Sequence, residues 1–168
     1  QIDTLSAIAS EFSSFAKLKD TNFMEVELMS LINSSVGVYN GTNDIKVSCD
    51  CDIDYRIIGD KDQILRVFNN LIKNAIQAIP KGREGHVNVS LLEQENYVLV
   101  SVTDNGNGIS KENQDKIFVP NFTTKNSGMG LGLAMVQKII ENMNGEISFQ
   151  TTPDVGTVFI IKFPLKKD

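Results

Sequence analysis

The sequence predicts an α+β fold, a two-layer α/β sandwich preceded by an N-terminal helix, and three patterns carry that reading. A helical apolar stripe of Ile64, Phe68, Leu71, Ala75 and Ile79 runs between Asp60 and Pro80. Two segments then alternate, Val87/Val89/Leu91 and Val98/Val100/Val102, with Asn96 in the turn between them; a period of two is that of half-buried strands. A closing pair, Ile147/Phe149 and Thr157/Phe159/Ile161/Phe163, alternates in the same way. A chain of 168 residues suits one compact domain burying about two-thirds of its unfolded-chain surface.

Along the chain, Ile2, Leu5, Ala9, Phe12 and Ala16 recur at three- to four-residue spacing and predict an amphipathic helix to about residue 18. This is either an ordinary packed helix or the seam of a bundle. A second helical pattern spans roughly 24–39 and leads to a turn at Asn40-Gly41. Strands are predicted from Ile45 and over 55–58. Asp60 is a natural N-cap for the next helix, which Pro80 and Gly82 stop after Ile79. From Asn105 to Ser127 both periodicities fade into a long polar loop; loops of that length inside a compact domain are usually functional or disordered. A helix from about Met129 to Met143 closes at Asn144-Gly145.

Composition excludes several classes. Sixteen Lys and Arg against 21 Asp and Glu give a net charge of −5, which opposes nucleic acid or an anionic membrane surface. Neither an uninterrupted membrane-length apolar run nor a signal peptide is visible, so the piece reads as soluble. Cys49 and Cys51 stand two apart in an apparent strand, where a bridge would be strained and too few partners exist for zinc. They read as free thiols of a cytosolic protein. The chain opens at Gln1 without a methionine, and the expectation is an excised fragment.

Asp104 ends a predicted strand on the same face as Val98, Val100 and Val102. A carboxylate there is costly unless a donor meets it. Gly106 and Gly108 follow and let the backbone approach a ligand, so the group suits the exocyclic amine of adenine; a strand-end turn cap is the plainer alternative. Asn70 and Asn74 fall together on the edge of the 60–79 apolar stripe. An amide oxygen there could complete the shell of a Mg²⁺ already held by phosphates, although a polar helix flank reads equally well. Gly128, Met129, Gly130, Leu131 and Gly132 open a helix, whose unpaired N–H groups and dipole attract anions. Lys125, just before, could supply a point charge.

Taken in order, these blocks resemble the catalytic, ATP-binding domain of sensor histidine kinases, within the gyrase/chaperone/MutL ATPase superfamily. The matching runs are Asn70-Leu71-Ile72-Lys73-Asn74-Ala75, Asp104-Asn105-Gly106-Asn107-Gly108, Lys116 to Phe122, Gly128 to Gly132, and Gly156-Thr157. The likeness covers about residues 42–165. It implies the Bergerat ATP-binding sandwich, a mixed sheet with helices on one face and a long ATP lid over 109–127. It implies that ATP or ADP and Mg²⁺ are the cofactors, that Asp104 and Thr157 hold adenine, that Asn74 ligates Mg²⁺, and that Asn70 assists near the phosphates. Asn70 and Asn74 are then the catalytic pair. Gly106, Gly108, Ile109, Phe118, Phe122, Thr124, Lys125, Gly128, Met129, Gly130, Leu131 and Gly132 complete the implied nucleotide site. The run Asn121 to Lys125, with Asn74 to Ile79, looks most like the nitrogen-regulation type (NtrB/NtrY-like).

The resemblance further implies that residues 1–20 are the second helix of a dimerisation domain, 21–41 a connecting helix and 42–168 the catalytic domain. Such kinases phosphorylate a histidine on the first dimerisation helix, in their own chain or a dimer mate, and relay the group to a response regulator receiver domain. The chain's one histidine, His86, lies on the polar face of a strand and matches no acceptor motif. The expectation is therefore a kinase core that does not phosphorylate itself, from a full-length homodimer acting in the cytoplasm, whether or not it is anchored in the bacterial inner membrane. In the hydrolytic relatives a glutamate four residues before the Mg²⁺ asparagine activates water. Asn70 at that position cannot take up a proton, which argues against an ATPase or an anti-sigma-type serine kinase. An inactive nucleotide-binding module is the remaining alternative.

Overall fold

The structure, a computed structural model, describes residues 5, 6, 9, 10, 12, 13, 21–40, 44–124 and 130–166. The core is a five-stranded mixed sheet of order β2-β4-β5-β7-β6. Its strands are β2 (Ile45–Asp50), β4 (Gly85–Gln94), β5 (Tyr97–Asp104), β6 (Glu146–Thr152) and β7 (Gly156–Pro164). β2 runs parallel to β4 and every other pairing is antiparallel. The alternation read from the sequence fixes which face is inside: Val87 and Val89, then Val98, Val100 and Val102, and Phe159, Ile161 and Phe163 are buried on one side. Helices α1 (Leu28–Tyr39), α2 (Lys61–Ala78) and α4 (Gly132–Asn142) cover that side with their own buried stripes, including Ile32, Phe68, Leu71 and Ile139.

α2 forms as predicted. Asp60 caps it, its Oδ1 accepting the N–H groups of Asp62 and Gln63 at 3.0 Å each, and Oδ2 accepts Asn22 N–H at 2.8 Å. At the end of α4, Asn144 takes φ 56, and the Asn144 and Gly145 N–H groups close on Glu141 and Ile140 carbonyls at 3.0 Å each. The helical pattern over 24–39 is only partly realised. Met24–Glu27 is a strand, β1, paired antiparallel with β3 (Arg56–Gly59) in a separate two-stranded sheet. Four residues cannot distinguish a period of two from one of 3.6. The partner strand about 30 residues on, with Arg56 bonded to Glu25 at 3.1 Å and Glu27 at 3.0 Å, decides the conformation. In the N-terminal arm Leu5, Ser6, Ala9, Ser10, Phe12 and Ser13 are helical, and Leu5 and Phe12 are exposed; Ile2, Ala16 and the turn residue Gly41 lie outside the described residues.

The cysteines are free, but they do not share a strand. β2 ends at Asp50, and the turning chain brings the Cys51 sulfur to 2.7 Å from that of Cys49. Burial, and then Cys51, push the Cys49 thiol up to about 12, leaving little nucleophilic thiolate at neutral pH. Iodoacetamide at about pH 8 should therefore modify Cys49 far more slowly than a free thiol, by peptide mass mapping; alkylation at the rate of free cysteine would contradict this.

Candidate functional site

β5 alternates buried and half-buried positions to its end, and Asp104 takes the last buried one, 7% exposed. Its Oδ1 accepts Gly106 N–H at 2.8 Å, and Thr157 N–H bonds the same carboxylate. Burial raises the Asp104 pKa above its ordinary value, and the two backbone donors only partly counter that. The ionised carboxylate is thus under-solvated, and a further neutral donor reaching it would be stabilising.

The chain then lies against the end of α2. Asn107 N–H donates to Ala78 O at 2.9 Å, and a Cβ on residue 106 would fall 2.6 Å from that same carbonyl. Gly108 has φ +68, with Thr152 O 2.4 Å from where its Cβ would be. Glycine is required at both by close backbone approach. Arg83 clamps this loop from behind, its Nη1 donating to Asn105 O at 2.8 Å and Gly106 O at 2.9 Å. The Asn105 side chain accepts His86 N–H at 2.8 Å and donates to Glu84 O at 2.9 Å. Neither clamp is marked in the sequence, since an Arg in a turn carries no periodic signal.

Asn70 and Asn74 sit half-buried on one flank of α2. Asn70 Nδ2 donates to Arg66 O at 2.9 Å, while its Oδ1 lies 2.7 Å from where a Cβ on Gly132 would be. Any side chain at 132 would displace Asn70, so this glycine is what lets the start of α4 meet the asparagine helix. Gly130, at φ +69, packs on Phe122, whose carbonyl stands 2.3 Å from the missing Cβ, and Asn121 N–H donates to Gly130 O at 3.0 Å. Leu131 and Phe122 are half-buried and Thr124 is exposed. Lys125, Gly128 and Met129 lie outside the described residues. Asn70, Gly132 and the Gly130–Phe122 contact thus gather beside the middle of α2, with the Asp104 loop at its C-terminal end.

The segment expected to be structureless is partly built. Lys111–Gln114 forms a single helical turn, α3, and successive turns continue from Asn113 to Phe122. Ile117 is buried. Phe118 meets the rings of Phe149 and Phe159 edge-on at 6.1 and 6.5 Å, an arrangement that adds to their apolar burial. Ile109 N–H donates to Thr151 Oγ1 at 2.9 Å. Thr157, 5% exposed, has its hydroxyl 2.9 Å from that of Thr151. Thr151 was missed although a signal existed: it is a polar residue on the face of β6 that carries Ile147 and Phe149.

The model of the histidine kinase-, DNA gyrase B-, and HSP90-like ATPase family matches residues 59–167, from the last residue of β3 to just beyond β7. The chain belongs to this family. Within it, the fold and the relatives are those of sensor histidine kinase catalytic, ATP-binding domains. The chain is 44% identical to sporulation kinase A of Bacillus subtilis (strain 168) over 110 residues, 66% of this chain and 18% of that protein. To the sensor histidine kinase ZraS of Escherichia coli (strain K12) it is 35% identical over 169 residues, 98% of this chain and 36% of the relative. It therefore spans well under half the length of either. The solved catalytic domain of the histidine kinase ThkA, in a nucleotide-free form, superposes with a TM-score of 0.75 at 34% identity, covering 85% of this chain and 95% of that one. ThkA in complex with the response regulator protein TrrA gives 0.79 at 30% identity, covering 98% of this chain and 48% of that one.

His86 of this histidine kinase-like domain lies on β4 beside buried Val87, with its ring half exposed and 3.7 Å from Glu84. Alternation turns it to the sheet face opposite the helix layer that includes α2, which carries Asn70 and Asn74. Among the described residues no helix is long and apolar enough to cross a membrane.

Proposed function

We propose that this domain binds ATP with Mg²⁺ and transfers the γ-phosphoryl group to a histidine presented by another helix of the same protein or its dimer mate, for relay to a response regulator receiver domain. The observation that carries this is the placement of Asn70 against Gly132. Where a hydrolase of this family would hold a general base, an amide stands, bonded back to Arg66, and it cannot accept a proton from water at neutral pH. Adenine would sit with its amine on Asp104, beside Thr157 and Ile109, over Gly106 and Gly108. The triphosphate would run toward Asn70, Asn74 and the start of α4, with Gly130, Leu131 and Gly132 at its phosphate end. Lys125, Gly128 and Met129 belong to the same proposed phosphate grip. Phe118 and Phe122 would seat the covering segment, and Thr124 would lie at its rim.

The residues suit Mg²⁺ of a particular kind. Mg²⁺ needs few protein ligands when phosphates hold it, and an amide oxygen such as that of Asn74 would suffice as one of them. Bound so, it would neutralise phosphate charge during an in-line transfer. The chain's own residues then orient the nucleotide and leave the nucleophile to the acceptor. Replacing Asn74 with alanine should cut the gain in ATP affinity on adding Mg²⁺ by roughly ten-fold, by calorimetry with and without the ion; an unchanged gain would remove Asn74 from the metal site.

The same reading assigns residues 1–20 to the dimerisation domain, 21–41 to its connection and 42–168 to the catalytic domain, and places the domain in the cytoplasm. TrrA bound to ThkA supports a response regulator as partner. The deciding experiment supplies labelled ATP and Mg²⁺ to the domain with and without a polypeptide carrying an acceptor helix. Acid-labile label on the acceptor histidine and none on His86 is expected. Label on His86, or phosphate release to water that is as fast without acceptor, would overturn the proposal.

A further inference from the structure

The hydroxyl of Thr151 stands where three segments meet. It accepts Ile109 N–H at 2.9 Å, lies 3.2 Å from Gly156 O, and is 2.9 Å from Thr157 Oγ1. We propose that Thr151 is a positioning residue that sets which way Thr157 presents its hydroxyl to the adenine end of the cleft and ties that setting to Ile109, where the covering segment begins. This rests on the nucleotide reading above.

Counting protons at the two hydroxyls leaves two states. A threonine hydroxyl has one proton and two lone pairs, and Ile109 N–H occupies one lone pair. If Thr151 donates to Gly156 O, the Thr157 proton must point at Thr151, and Thr157 can only accept from a ligand. If Thr151 donates to Thr157, the Thr157 proton is released toward the cleft. A ligand that favours one state therefore acts on the Thr151 hydroxyl and, through it, on the Ile109 amide. Thr157 is well placed for this, because its backbone N–H also bonds the Asp104 carboxylate and the two residues are register partners on β7 and β5. Around Ile109 the backbone is already held to the same hairpin. Asp154 N–H donates to Asn107 O at 2.7 Å, and Gly108 closes on Thr152 O. The Thr151 hydroxyl thus adds a switchable side-chain link to a fixed backbone seam.

The test compares Thr151→Val, which keeps the shape and removes the hydroxyl, with Thr151→Ser, which keeps the hydroxyl. In the valine variant ATP affinity should fall roughly ten-fold and the preference for ATP over GTP should narrow, as expected for loss of a half-buried hydrogen-bond set. Serine should restore both to within about two-fold. A purely packing role would leave serine, which lacks the methyl group, no better than valine. Without any variant, ADP should slow hydrogen exchange at the Ile109 amide of the wild-type chain by roughly five-fold or more. Unchanged affinity and preference in valine, or no ADP effect at Ile109, would overturn the proposal while the nucleotide site stood. A wild-type chain that binds no ATP would overturn the nucleotide reading, and this proposal with it.

Discussion

Replacing Asp104 by alanine should weaken ATP binding roughly 10- to 150-fold, the range for one hydrogen bond to a charged group of about 1.5–3 kcal/mol. The carboxylate is held by Gly106 and Thr157, and its raised pKa marks a charge still short of stabilisation. The adenine amine would supply that donor. Guanine offers a carbonyl oxygen in place of the amine, so GTP should be refused by the wild-type chain and discriminated less by the variant. Calorimetry with both nucleotides decides it, and equal ATP affinity in variant and wild type would sink the adenine assignment. The pH sign follows from the same group. With adenine on the ionised carboxylate as proposed, affinity should fall as pH drops through the Asp104 pKa, at a higher pH than an ordinary aspartate at 3.8 would show. Stability of the empty domain runs the other way. A carboxyl whose folded pKa is raised contributes stability below its unfolded pKa and loses that contribution as pH rises through the folded value. ADP should therefore raise the Tm more at neutral pH than near pH 4.

Gly156→Ala should be the more damaging change to the fold itself. Gly156 has φ +147, and a Cβ there would stand 2.0 Å from Asp104 O, a backbone atom that cannot swing aside. The first residue of β7 would have to withdraw from β5 at the Asp104–Thr157 register pair. A loss of about 3 kcal/mol or more is expected, a Tm drop of roughly 6–12 °C for a domain of this size. ADP affinity should fall with it, because Thr157 moves. A melt within about 2 °C of wild type and unchanged ADP binding would show that the strand gives way more easily than this geometry implies.

Much of the sandwich could be read directly. α2 announced itself by its stripe and by Asp60, and β4, β5 and β7 by strict alternation, because each is long enough for its period to be counted. β1 was not legible, since Met24–Glu27 is too short to have a period and takes its conformation from Arg56–Gly59. The turns of the 109–124 segment were hidden for a related reason. Phe118 and Ile117 are apolar residues without repeat, and Phe118 is held by Phe149 and Phe159 on strands formed far along the chain. Of the site, Asp104 was legible as a charge on an apolar strand face, and the glycines by their clustering. Arg83 was not, because its role is to bond two carbonyls more than 20 residues away.

The sequence by itself determined the composition of the candidate site: a carboxylate in an apolar strand, two asparagines one helical turn apart, glycines clustered around them, and a histidine on the polar face of a strand. Those are local facts, fixed by residue type and by periods of two and 3.6. Tertiary structure alone decided how the parts meet. Contact between Gly132 and Asn70, between Gly106 and Ala78, and between Thr151 and both Ile109 and Thr157 joins segments separated by up to 62 positions in the first case. No local pattern encodes such distances; they follow from the sheet order, which places β7 between β5 and β6 and so closes the hairpin onto the loop that Asp104 begins.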